Sequence, residues 1–120
     1  MDALPRLSVI PEAPGFGHYA SMPLQRRLEM GKKYGLYVKF KFKTTCPVIN
    51  FHAKRSGSRD HQVIYSYRHS KTDRESDFVE IRGEFVSSSG LYDEFMIGAA
   101  HFIGRDNFIL FDSIYIFEMN

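Results

Sequence analysis

The stretch Tyr34-Gly-Leu-Tyr-Val-Lys-Phe-Lys-Phe42 decides how this chain reads. Tyr34, Leu36, Val38, Phe40 and Phe42 alternate with Tyr37, Lys39, Lys41 and Lys43, a period of two that sets one wall in a core and the other in water. The same alternation recurs downstream. Ile49, Phe51 and Ala53 stand opposite Asn50, His52 and Lys54; Val63, Tyr65 and Tyr67 opposite Gln62, Ser66 and Arg68; and Val79, Ile81, Gly83 and Phe85 opposite Glu80, Arg82 and Glu84. Phe95 to Ile103 and Phe108 to Phe117 are nearly apolar on both faces, as central strands can be. Breaks rich in turn residues separate these runs: Thr44 to Pro47, Arg55 to Asp60, Ser87 to Gly90 and Gly104 to Asn107. Strand starts about eight to sixteen residues apart favour an antiparallel sandwich over strand-helix-strand units.

Length and composition agree. With 120 residues, the chain is predicted to be one domain, 1–120, with a less regular segment over 1–17. Eleven Phe and seven Tyr without Trp, alongside many Val and Ile, suit sheet. Sixteen basic and fourteen acidic residues leave a net charge of +2 with the signs interspersed, which gives no case for nucleic acid. The longest nearly apolar run, 96–103, is interrupted by His101 and too short to span a bilayer, so no membrane span is expected. The start Met-Asp-Ala-Leu-Pro carries no basic stretch followed by an apolar one, so no secretory signal is expected; localisation stays open. The single Cys46 cannot form an internal disulfide and reads as a small, buried, apolar side chain.

The first third supports two readings. Ser21 to Gly31 could form a helix, with Ser21 as cap, Pro23 in the first turn and Gly31 at the end. Alternatively His18, Ala20, Met22 and Leu24 form one face of a strand. With a short strand at Leu7 to Ile10, the second reading gives about eight strands, the number of a jelly roll.

A resemblance favours the strand. Leu28-Glu-Met-Gly31-Lys-Lys-Tyr34 running into Gly-Leu-Tyr-Val-Lys-Phe-Lys-Phe42 resembles a passage of the jelly-roll carbohydrate-binding modules of families 4, 9 and 22. Phe78-Val-Glu-Ile-Arg-Gly-Glu-Phe-Val86 resembles a later strand of theirs, with Phe78 where they carry Trp. Phe108-Ile-Leu-Phe-Asp112-Ser-Ile-Tyr-Ile-Phe-Glu118 resembles their closing strand, with Ser113 at its second acidic position. The likeness spans about 18–118. It implies an all-β antiparallel jelly roll that binds carbohydrate without changing it, attached to a larger polysaccharide-active parent protein. It also implies a structural calcium on Asp112, with Glu12 or Asp2 adding oxygens. Calcium takes six to eight oxygens and the residues themselves place one carboxylate well, so no cofactor follows from the residues alone.

Jelly-roll order sets the strand at 34–43 beside that at 79–86. This makes Lys39, Lys41 and Lys43 with Glu80, Arg82 and Glu84 a solvated charged wall, or else a face for an acidic partner. In the other sheet Asn50, His52, Gln62, Tyr65, Tyr67, Arg68 and His101 are the expected sugar contacts. Asn, Gln, His and Arg bond hydroxyls, and tyrosine stacks on the flat C–H side of a sugar. Tyr65 and Tyr67 read equally as core residues, in which case Gln62 and Arg68 become the exposed members of their strand; Tyr19, Tyr37 and Tyr115 share that ambiguity. His18, His52 and His101 also read as structural or surface histidines.

No enzyme is expected. Glu80 and Glu84 are about 13 Å apart along one strand, beyond the roughly 5–9.5 Å of paired glycosidase carboxylates. The five histidines have no cupin-like metal spacing, and no nucleophile elbow or phosphate-cradling loop is present. The competing function is a structural or protein-interaction sandwich of the viral tail or capsid kind, whose apolar strands at 95–103 and 108–117 would make a homo-oligomer interface.

Overall fold

Strand β2 (Lys33–Lys43) runs where the sequence predicts, bonded on one side to β5 (Val79–Val86) and on the other to β7 (Phe108–Glu118). The structure, a computed structural model, describes residues 20–24, 26–70, 74–97 and 108–119. The second sheet comprises β1 (Ala20–Pro23), β6 (Glu94–Ile97), β3 (Val48–Lys54) and β4 (His61–Arg68), in the order β1-β6-β3-β4. Every pairing is antiparallel. Among the described strands only β3 and β4 form a hairpin between sequence neighbours; the other successive strands lie in different sheets, which is the expected jelly-roll order. Seven strands are described where about eight are expected, and the candidate at Leu7 to Ile10 lies outside the described residues. No helix replaces β1. After Pro23 the chain runs irregularly, tied by Leu24 N–H to Asp93 O (2.7 Å), Leu28 N–H to Tyr92 O (3.0 Å) and Gly31 N–H to Ser87 O (2.8 Å).

The inward set of β2 is buried throughout, with Val38, Phe40 and Phe42 at 0% exposure. Phe40 meets the facing sheet edge-on at Phe51 (5.4 Å between ring centres) and Tyr67 (5.6 Å), and tilts against Phe111 of its own sheet (6.3 Å). Phe95 stacks on Phe51 at 5.7 Å and meets Phe111 edge-on. Edge-to-face and offset contacts of this kind add to the area term that drives sheet stacking. Cys46 is only half-buried, and its thiol donates to Val48 O at 3.1 Å, so it is not the enclosed apolar residue expected.

Among the described residues two bulges break the alternation. Phe51 pairs with Tyr65 but His52 with Val63, so Ile64 is the extra residue on β4. Lys39 pairs with Ser113 and Phe40 with Phe111, so Asp112 is the extra residue on β7. An extra residue exchanges the faces of everything beyond it. Val63 therefore points outward with Ser66 and Arg68, while Gln62, Tyr65 and Tyr67 point toward the facing sheet. On β7, Ile109 and Phe111 are buried before the bulge and Ile114 and Ile116 after it.

Replacing Phe40 with Ala should remove about 3–5 kcal/mol of stability, read by chemical denaturation, because the cavity would open between both sheets. A smaller loss would mean that the sheets close over the gap. His69 gives a pH signature. Its ring lies 4.5 Å from that of Phe42 and stacks on Tyr67 at 5.9 Å, and burial pushes its pKa below the ordinary histidine value, against a smaller upward pull from a Cys46 backbone hydrogen bond. The unfolded chain takes up the proton first, so stability is whole above about pH 6.5 and falls as pH drops through the folded pKa. Melting curves from pH 7.5 to 5 should show a shallower decline for His69→Gln than for the parent; equal slopes would assign the decline to other groups.

Candidate functional site

On the outer face of the four-stranded sheet, the pairing β3 to β4 sets Asn50 opposite Ser66, whose Oγ donates to Asn50 Oδ1 at 2.6 Å. Arg68 is exposed opposite Val48 at the end of that ladder. His52 is expected on an open wall, yet it is 8% exposed, between Val63 on β4 and Met96 on β6. Its ring meets His61 edge-on at 5.0 Å, and His61 Nδ1–H donates to Arg59 O at 2.7 Å. Lys54 and Glu94 make an ion pair at 3.6 Å. The described part of this face thus offers hydroxyl-bonding groups without a phenyl or phenol ring. His101 lies outside the described residues.

The three remaining expected contacts point toward the facing sheet, Gln62 and Tyr65 at the seam with β5 and Tyr67 against β2. Tyr65 lies against Gly83 of β5 so closely that a Cβ there would come within 2.6 Å of its ring. Tyr67 packs edge-on against Phe40 and Phe42, and burial raises its pKa. Gln62 ties the seam: its Nε2 donates to Val86 O at 2.8 Å, and its Oε1 accepts from Ser88 N–H at 2.9 Å and Ser88 Oγ–H at 3.0 Å. Asn50, Ser66 and Arg68 are therefore brought together, while Gln62, Tyr65 and Tyr67 hold the two sheets against each other.

The opposite outer face, on β5-β2-β7, gathers the rings. Tyr37 and Tyr115 face each other across the β2–β7 ladder with ring centres 5.9 Å apart. One step along, Phe117 pairs with Gly35 and its ring lies on the bare backbone, where a Cβ would overlap it. Arg82, opposite Tyr37 on β5, holds its guanidinium 4.7 Å over the Tyr37 ring. The Tyr37 hydroxyl donates to Glu80, and this bond raises its pKa above the ordinary phenol value. Beside them is a hollow of about 210 Å³ lined by Gly35, Leu36, Arg82, Gly83, Glu84, Phe117 and Met119. At the other end Phe78, 49% exposed, carries Lys39 and Lys41 ammonium groups at 5.7 and 5.6 Å from its ring centre. The expected charged wall is there, but its ion pairs are Lys33 to Glu84 and Lys41 to Glu75, both at 2.9 Å.

This ring face was not among the expected sugar contacts. Parity was the available signal: inward Leu36 and Val38 require Tyr37 to point outward among lysines. Phe117 and Tyr115 could not be placed from sequence, because the Asp112 bulge reverses the parity of β7.

Among the described residues no group of three or more His, Cys, Asp or Glu is positioned to hold a metal ion. Asp112 is exposed at the bulge and accepts a 2.9 Å bond from Ser113 Oγ, while Asp2 and Glu12 fall outside the described residues. Nor is any described helix long and apolar enough to cross a membrane.

No family model matches the sequence, and no curated protein matches it. Solved structures do match its fold. The family 22 xylan-binding domain CBM22-1 of Paenibacillus barcinonensis Xyn10C superposes with a TM-score of 0.61 at 12% identity, covering 93% of this chain and 80% of that one. A family 16 carbohydrate-binding module gives 0.53 at 16% identity, over 93% and 85%. The C-terminal family 6 module of LamC, a laminarinase of the marine Zobellia galactanivorans, gives 0.53 at 12%, over 93% and 88%. The chain thus has the jelly-roll fold of solved carbohydrate-binding modules.

The unequal burial of two expected contacts is directly measurable. Asn50→Ala should shift stability by under about 0.5 kcal/mol, whereas His52→Ala should cost roughly 1–3 kcal/mol. Equal, small shifts in thermal unfolding would place His52 in solvent after all.

Proposed function

We propose that this chain is a non-catalytic module that holds an oligo- or polysaccharide on the outer face of β5-β2-β7. The observation that carries the reading is the Tyr37–Tyr115 pair continued by Phe117 on Gly35, a row of half-exposed rings fixed by strand register. A sugar ring presents C–H groups to such a surface and hydroxyls to its rim, where Arg82, Glu84 and Glu80 stand. The fold shared with the family 22, 16 and 6 modules supports a saccharide ligand, one of those modules being named for xylan. A holding role fits the acidic groups as well. Glu80 is engaged by the Tyr37 hydroxyl and Glu84 by Lys33, so neither is poised as one of a pair astride a glycosidic bond.

A second reading keeps the sugar on the four-stranded sheet, and the exposed Asn50–Ser66–Arg68 row favours it. Titration calorimetry against a glycan panel separates the two. Tyr115→Ala should weaken binding about 2- to 13-fold, the worth of one aromatic contact, at unchanged melting temperature. Loss of binding in Asn50→Ala with none in Tyr115→Ala would move the site to the other sheet. No binding to any glycan at millimolar concentration by folded protein, with light scattering reporting an oligomer, would leave the interaction-domain reading standing.

A further inference from the structure

The charges on the ring face are not evenly spent. Two carboxylates are ion-paired, Glu84 with Lys33 and Glu75 with Lys41, whereas Glu80 and Asp112 accept from the hydroxyls of Tyr37 and Ser113, neutral donors that add no positive charge. Three cations on the same face, Arg82, Lys39 and Lys43, make no ion pair among the described residues. Lys39 lies instead over Phe78, and Arg82 over Tyr37. A guanidinium has five N–H donors in a rigid fork that fits a carboxylate through two parallel bonds, and stacking on a ring fixes the plane of that fork. Arg82, held in this way, lines the hollow together with Gly35 and Phe117. At about 210 Å³ the hollow is smaller than the roughly 300–1,000 Å³ of drug-sized sites, so it suits one ring-sized group and not a buried chain. Glu84, which also lines it, is neutralised by Lys33 and so does not repel an anion outright.

The geometry points to an acidic saccharide as the ligand of this face: a uronic acid unit rests its C–H side on Phe117, its carboxylate takes the Arg82 fork, and further acidic units run toward Lys39 and Lys43. The inference rests on the saccharide-binding reading above and adds the ligand's charge and the residue that reads it.

Oligogalacturonate and its methyl-esterified, uncharged counterpart are the probes, titrated by calorimetry into the whole chain at low and at moderate salt. The parent should bind the acid at least tenfold more tightly than the ester, with the margin shrinking as salt rises. Arg82→Gln should lose about 10- to 100-fold on the acid and little on the ester. Arg82→Lys, which keeps the charge without the fork, should fall between. Equal affinity of the parent for acid and ester, or an Arg82→Gln variant of native melting temperature that still prefers the acid, overturns the inference. Binding of neutral glycans alone overturns it too while leaving the saccharide reading intact, whereas failure to bind any glycan removes both.

Discussion

With no disulfide to brace it, the sandwich depends on rings that reach across from one sheet to the other. Phe40 is the centre of that contact. It projects from the middle of β2 and touches Phe51 and Tyr67 of the facing sheet and Phe111 of its own. Because β2 is clamped between β5 and β7, burying its even-numbered residues sends every odd-numbered one outward. The half-exposed outward row of Tyr37, Lys39 and Lys41 thus follows from the same register that makes the core. A face built so takes its side-chain positions from the register of the interior beneath it.

The seam between β4 and β5 shows the other side of that economy. Both strands lie at sheet edges, where exposed backbone invites unwanted pairing. Gln62 reaches over to the Val86 carbonyl and Ser88, and Tyr65 settles on the space that Gly83 leaves. These side chains have the chemistry of sugar contacts, and the fold uses them to keep the two layers together.

The strands themselves were legible because long runs such as 34–43 and 79–86 alternate without interruption, and which of them pair followed from the jelly-roll order that the resemblance implies. The face of an individual side chain was legible only up to the first bulge. Val63, Tyr65 and Tyr67 alternate perfectly on paper, yet Ile64 is passed over by its partner strand and Val63 parts company with the two tyrosines. Asp112 does the same to β7, sending Tyr115 and Phe117 outward. A bulge depends on the fit of the partner strand, which no local pattern records. His52 is a different case: its parity was read correctly, but its burial comes from Val63, Met96 and His61 gathering around it in three dimensions.

Phe117 has no side chain beneath it, only the peptide plane at Gly35. A benzyl group lying on main chain has little room to rock, so its orientation is set before anything arrives, and a visitor meets a surface that gives up little freedom in receiving it. The same arrangement narrows what mutation can do. Any side chain larger than hydrogen at that glycine would lift the ring and tilt the whole row, which makes a residue without a side chain the arbiter of how flat the surface is.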